Sequence, residues 1–219
     1  MAVRQASQTQ RNGREDPRKA ARSRLAERAE ETRQALIDAG RRLFAERGYS
    51  GVATEEIVRA ARVTRGALYH YFKGKEDLFR AVYEQVEREV VEQVTTDAMS
   101  GGDPLEALRI GARAFLDACE DPAVQRIALL DAPSVLRWEQ WREIGERYGF
   151  GVIQAGLEAA MDAELIERQP VRPLAHLLMG SIHEAALVVA RASDGGETKR
   201  EFAAAIDRQL DWLATQAKA

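Results

Sequence analysis

Between residues 54 and 75 stand Thr54, Thr64, Arg65, Gly66, Ala67, Tyr69, His70 and Lys75, a set that suits contact with double-stranded DNA. The Arg65 guanidinium can donate two parallel hydrogen bonds to one guanine edge in a major groove. Gly66 and Ala67 keep the surface thin, so the backbone itself can approach a duplex. Tyr69 and His70 reach phosphates or base edges. Free amides behind Thr54, Thr64 and Gly74 offer seats for phosphate, and Lys75 is placed to add a charged phosphate contact. No Ser/His/Asp ordering and no phosphate-binding loop is present, so no catalytic residue is assigned. Cys119, the one cysteine, can neither close an internal disulfide nor build a thiolate metal site alone. It reads as a small hydrophobe.

These groups need a short, exposed helix held across another. Leu36, Gly40, Leu43 and Phe44 form one helical stripe, ended by Gly48. Thr54 reads as an N-cap, with Glu55 and Glu56 in the first turn, where the helix dipole favours anions. That helix lasts two turns, with Ile57, Ala60 and Ala61 inward. Arg62-Val63 is a minimal connection, and Thr64 reads as the next N-cap. Two short helices so joined are a helix-turn-helix. Small Ala60 and Ala61 let them cross, while Val63 and Leu68 fill the wedge. A third start follows Gly74, with Leu78, Val82, Val86 and Val90 on its apolar face.

Beyond the Ser100–Pro104 break the period stays helical, and no stretch alternates as a strand would. Phe115 and Cys119 lie on one stripe. Trp138, Trp141, Gly145 and Tyr148 share another. With His183, these side chains read as the wall of a pocket for a flat or apolar ligand, against the plain alternative of core packing. His176 and His183, seven apart beside Glu184, lack the spacing of a helical metal motif, so no metal and no cofactor is expected. Residues 171–192 are apolar nearly all round, too much surface for one intramolecular face.

Charge is unevenly spread. Residues 1–80 carry 18 Lys/Arg against 11 Asp/Glu, whereas the whole chain has a net charge of −3. A basic first third on an acidic body points to one part that meets a polyanion. Residues 1–28 hold eight basic side chains and little to bury, so they read as a disordered tail. Arg18, Lys19, Arg22, Arg24 and Arg28 could form a minor-groove arm or stay solvated. Strictly apolar runs fall short of the roughly 20 residues that span a bilayer, and no apolar stretch follows the N-terminal arginines as in a secretory signal. The expectation is a cytoplasmic protein without a membrane partner.

The run from Thr54-Glu55-Glu56-Ile57-Val58 through Val63-Thr64-Arg65-Gly66-Ala67-Leu68-Tyr69-His70-Tyr71-Phe72 to Lys75-Glu76-Asp77-Leu78 resembles the DNA-binding domain of the tetracycline-repressor (TetR) family. The likeness spans about residues 32–82. One departure is Arg62, where the family usually has glycine. If that position needs a positive φ, arginine costs on the order of 1 kcal/mol there, offset by a reshaped turn or a phosphate contact. A second is Gly74, where Ser or Asn is more usual.

The resemblance implies an all-α protein. A basic tail (1–28) precedes a three-helix DNA-binding domain (29–76) and a larger helical domain (77–219) for effector binding and dimerisation. It implies a homodimer through residues 171–192 and 197–217 on a palindromic DNA operator, released by an unknown small-molecule effector. That describes a ligand-responsive transcriptional repressor. Competing readings are an activator of the same build, a regulator without an effector, and a helical enzyme.

Overall fold

The computed structural model describes residues 17–216, and among them every regular element is helical. Helix α1 (Pro17–Arg47) buries Leu36, Ile37 and Phe44. It starts well upstream of the boundary the sequence suggests, so residues 17–28 are helix rather than tail. Composition misleads here because a segment with nothing to bury can still carry helix formers, and Ala, Arg, Lys, Leu and Glu dominate this one. Arg24 and Arg28 are exposed on it. The rest of the expected tail, residues 1–16, lies outside the described residues.

Gly48 ends α1 with φ +71°, which glycine adopts without strain. Helices α2 (Thr54–Ala60) and α3 (Arg65–Tyr71) follow. With α1 and the start of α4 (Lys75–Ala98) they enclose Phe44, Ile57, Leu68 and Phe79, all fully buried. Phe44 and Phe79 meet edge to face with centroids 5.2 Å apart, a favoured aromatic geometry. Gly40 lets α4 come close, since a Cβ there would stand 3.2 Å from Val82 Cγ2. The boundary expected at 76/77 therefore falls inside the first turn of a continuous helix that serves both units.

The second unit comprises α5 (Pro104–Ala118), α6 (122–135), α7 (138–162), α8 (Val171–Arg191) and α9 (Gly195–Gln216). Asp103 caps α5 by accepting the amides of Leu105 and Glu106 at 2.9 Å. Both α6 and α7 contain a π-helical stretch, Gln125–Asp131 and Glu146–Phe150. In α6 the wider turn precedes Pro133, which has no N–H to continue the ladder. Ion pairs fasten α5 to α9: Arg109 to Asp211, Arg113 to Asp207 at 2.5 Å and Lys199 to Asp117 at 2.8 Å.

Helix α8 corrects one expectation. By length and composition it could cross a membrane. Counting only unbroken apolar runs hid this, because Gly180, Ser181 and His183 interrupt them at little cost in mean hydropathy. Its residues Leu174, Leu178, Ile182 and Ala185 instead pack into the protein core. Pro173, Leu177, Gly180, Glu184 and Val188 form a stripe on the opposite face, and all but Glu184 are apolar or backbone only.

Candidate nucleic-acid interface and ligand cavity

The connection between α2 and α3 is a Schellman turn. Ala61 caps α2. The Arg62 amide donates to Arg59 O at 3.2 Å, and the Val63 amide reaches back to Val58 O at 3.1 Å. Arg62 has φ +56°, so the position does need the left-handed conformation and arginine bears the strain of it. Val58 and Val63 pack on the core beside the turn, as this motif prefers.

Thr64 caps α3 as its sequence suggests, with Oγ1 accepting the Ala67 amide at 3.1 Å. Leu68 turns inward with no exposed surface, while Thr64, Arg65, Gly66, Tyr69 and His70 face solvent and Ala67 is half-buried. A Cβ on Gly66 would meet nothing nearer than Thr64 Oγ1 at 3.8 Å. The glycine is therefore not required for packing, which leaves its thin outer face available to a partner. Arg65 lies 5.6 Å from the Tyr69 ring centroid and 3.4 Å from Glu55. Both members of that ion pair are well exposed, so it guides the guanidinium more than it stabilises the fold. Glu55 thus belongs to the same face, beyond the dipole role its position suggests. Arg59, Arg62 and Lys73 are also exposed here. Arg62 is already singled out by its place in the turn; for Arg59 and Lys73 the sequence signal is the spacing of outward positions, which the motif alone does not show.

Two expected roles change. Thr54 is the first helical residue rather than the cap. Ala53 occupies the cap, and the Glu56 carboxylate accepts its amide at 2.9 Å while pairing with Arg47, also at 2.9 Å. These bonds hold the Glu56 carboxyl below its ordinary range, the Arg47 contact being the larger cause. Lys75 does not point outward. Its ammonium donates to Tyr49 O and Val52 O, each at 3.0 Å, and lies 4.1 Å from the Tyr49 ring centroid. Loop 48–53 leaves two carbonyls without helical partners, and the lysine satisfies both.

The same loop is gripped from the other unit. Asp131, on α6, accepts the Tyr49 amide at 2.7 Å, and Arg126 stands 3.5 Å from that carboxylate. Arg126 also covers Gly48.

Two neighbouring cavities share part of their walls, and α6 borders the second. The first, about 130 Å³, runs between α4, α5, α7 and α8 along Val91, Val94, Leu108 and Ile153. The second, about 170 Å³, is lined by Tyr83, Cys119, Ala128, Leu129 and Trp141. Glu87, Phe115 and His183 border both. Of the expected pocket residues, Phe115, Cys119, Trp141 and His183 therefore meet at one place. Trp138 is 61% exposed and borders neither of these cavities, but lines a third, of about 260 Å³, with Trp141, Arg142, His176 and His183. Tyr148 borders neither cavity; its hydroxyl faces Glu84 at 3.4 Å. The π stretch Glu146–Phe150 explains this separation. Its extra residue per turn rotates the helix downstream, so Tyr148 leaves the face that Trp141 occupies.

The residue that sequence reasoning missed is Glu87. In α4 it reads as one more surface acid, and only the packing of other helices over it makes it internal. Burial raises its carboxyl to about 7, against a smaller opposing effect from its hydrogen bond with Tyr83. Burial lowers the His183 imidazole, whose ring lies 5.4 Å from that of Phe115. Burial also pushes the Cys119 thiol up to about 12, helped by Glu87, so it stays a neutral, inert group. His176 stacks on Phe150 at 4.3 Å, apart from His183.

Residues 36–82 match the family described as bacterial regulatory proteins, tetR family, and residues 105–213 match the tetracyclin repressor-like C-terminal domain. The transcriptional regulator AcrR of Shigella flexneri is 45% identical over 82 residues, covering 37% of this chain and 38% of that regulator. A crystal structure of a TetR-family transcriptional regulator from Pectobacterium atrosepticum is 31% identical. It superposes with a TM-score of 0.74 over 85% of this chain and 96% of that one. The structure of RolR in complex with resorcinol, 24% identical, shares the fold with a TM-score of 0.68 over 88% of this chain and 93% of that one. Sequence, helical order and the exposed recognition helix agree: the chain belongs to the tetR family of bacterial transcriptional regulators.

Proposed function

We propose that this protein is a ligand-responsive transcriptional repressor in the cytoplasm, a homodimer that holds a palindromic operator and releases it when a small molecule enters the cavities. It is a binding protein without catalytic role, cofactor or membrane partner. Membership of a family of bacterial regulatory proteins supports a regulatory role, and the RolR complex is an instance of a small aromatic ligand on this fold.

The observation that carries the reading is the clip between Asp131 and the Tyr49 amide. Helix α6 contributes Ala128 and Leu129 to a cavity wall and, less than a turn later, the carboxylate that grips loop 48–53. Lys75 fastens that loop to the start of α4. A molecule that displaces α6 therefore pulls on the segment preceding the helix-turn-helix. In a dimer, such a pull alters the distance between the two α3 helices. Operator affinity must then fall by the factor by which operator weakens ligand binding.

The outward stripe of α8, with Leu177 68% exposed, and Trp212 of α9, 62% exposed, supply apolar surface for a twin. Gly180, with nothing within 4 Å of a Cβ, allows close helix approach. Selection from random duplexes, followed by footprinting and sedimentation, tests the reading. The expected result is a dimer on two inverted half-sites a whole number of helical turns apart. A single half-site bound by a monomer, or no sequence preference, overturns it.

A further inference from the structure

The lining of the two adjoining cavities is chemically lopsided. Among the described residues, neither cavity has a lysine or arginine in its wall, and Glu87 is the one carboxylate in both. Three aromatic residues, Tyr83, Phe115 and Trp141, line the second cavity together with that carboxylate, and Tyr83 hydrogen-bonds with it. Aromatic faces attract a cation through the ring quadrupole, most strongly when water is excluded. A buried carboxylate without a counter-charge is unfavourable, and a bound cation removes that penalty. An anionic ligand would find no basic side chain and would face Glu87.

We propose that these cavities select an organic cation, its ammonium head seated among Glu87, Tyr83, Phe115 and Trp141 and its apolar body lying toward Leu108 and Ile153. This rests on the ligand-responsive reading above and specifies the class of ligand.

The remaining groups facing Glu87 are compatible with a cation. Tyr83 on α4 is raised by burial, Cys119 on α5 is pushed up to about 12, and His183 on α8 is lowered. All three are neutral at pH 8, while Glu87, at about 7, is largely ionised. Trp141 on α7 and Phe115 on α5 do not titrate. Acidification neutralises Glu87 and so opposes a cation, while burial holds His183 against taking up a proton.

Three probes of similar body distinguish the classes by calorimetry on the full chain without DNA: benzyltrimethylammonium, benzyl methyl ether and phenylacetate. The ammonium should bind at least tenfold tighter than the ether, with no measurable binding of phenylacetate. Its affinity should fall up to about tenfold from pH 8 to pH 6. Glu87→Gln, which keeps the side-chain shape, should lose that advantage and the pH dependence, with a native helical circular-dichroism spectrum showing that the variant is folded. Trp141→Leu should weaken the ammonium and retain the pH dependence. Ether or phenylacetate binding as tightly as the ammonium, or full ammonium affinity in Glu87→Gln, overturns the assignment. Operator release is measured separately. Ammonium binding without release refutes the repressor mechanism alone, and release by an uncharged or anionic molecule that occupies the cavities refutes the cation assignment alone.

Discussion

Replacing Arg62 by glycine should make the protein more stable and its DNA binding weaker. At φ +56° a non-glycine residue bears about 1–2 kcal/mol of strain. Glycine removes that strain but loses about 0.5–1 kcal/mol in unfolded-state entropy. The net gain is therefore about 0.5 kcal/mol, or ~1–2 °C in Tm for a chain of this size. Arg62 is exposed at the edge of the helix-turn-helix, and strain kept at such a place suggests a function for the side chain. If each Arg62 meets one phosphate, the dimer loses two contacts. The slope of log affinity against log salt should flatten by about 1.8. Thermal melts and salt-dependent operator titrations read the two effects separately. Arg62→Lys serves as the control, keeping both charge and strain. An unchanged salt slope in the glycine variant would refute the phosphate contact, and a lower Tm would refute the strain argument.

The geometry sets four further outcomes. Arg65→Ala should relax base preference at one position of each half-site by about 1–3 kcal/mol while barely altering the salt slope, measured by binding to single-base operator variants. Lys75→Met should lower stability by about 1–3 kcal/mol by leaving the Val52 carbonyl unmet and the Tyr49 carbonyl with only the Val52 amide at 3.4 Å, and denaturant melts would detect it; a flatter salt slope at unchanged stability would mean that the ammonium faces DNA. Asp131→Ala, which removes the acceptor of the Tyr49 amide, should keep operator and ligand binding but reduce the coupling between them, and undiminished ligand-driven release would sink the clip mechanism. Because the Glu87 carboxyl is raised from about 4.5 to about 7, its contribution to stability is present below pH 4.5 and is lost as pH rises toward and through 7. Glu87→Gln should abolish that loss, on the order of 3 kcal/mol, in melts across pH 4.5–8.

The recognition unit was legible because its signals are local. Thr64 ahead of Arg65-Gly66-Ala67, the small Ala60 and Ala61, and the glycine after Arg47 each act within a turn or two, so spacing reveals them. Leu68 inward with Arg65, Tyr69 and His70 outward follows from helical period alone. The positive φ at Arg62 was foreshadowed only as a condition, by the glycine usual at that place in the family the chain resembles, and the structure fulfils it. The start of α1 was not, since a composition that lacks burial was weighed above one rich in helix formers.

Tertiary structure decided the rest. The direction of Lys75 depends on two carbonyls 23 and 26 residues away, and the grip of Asp131 on Tyr49 spans 82 residues. No local pattern encodes such pairs. Trp138, Trp141 and Tyr148 share a face on an ideal helix, but a π turn carries Tyr148 away from the two tryptophans in the folded chain. Glu87 shows the limit most clearly: its neighbours in sequence make it an ordinary surface acid, and its charge state is set by helices that arrive only when the chain has folded. A sequence specifies short-range geometry through backbone sterics and period, whereas burial and electrostatics are properties of what packs against a residue.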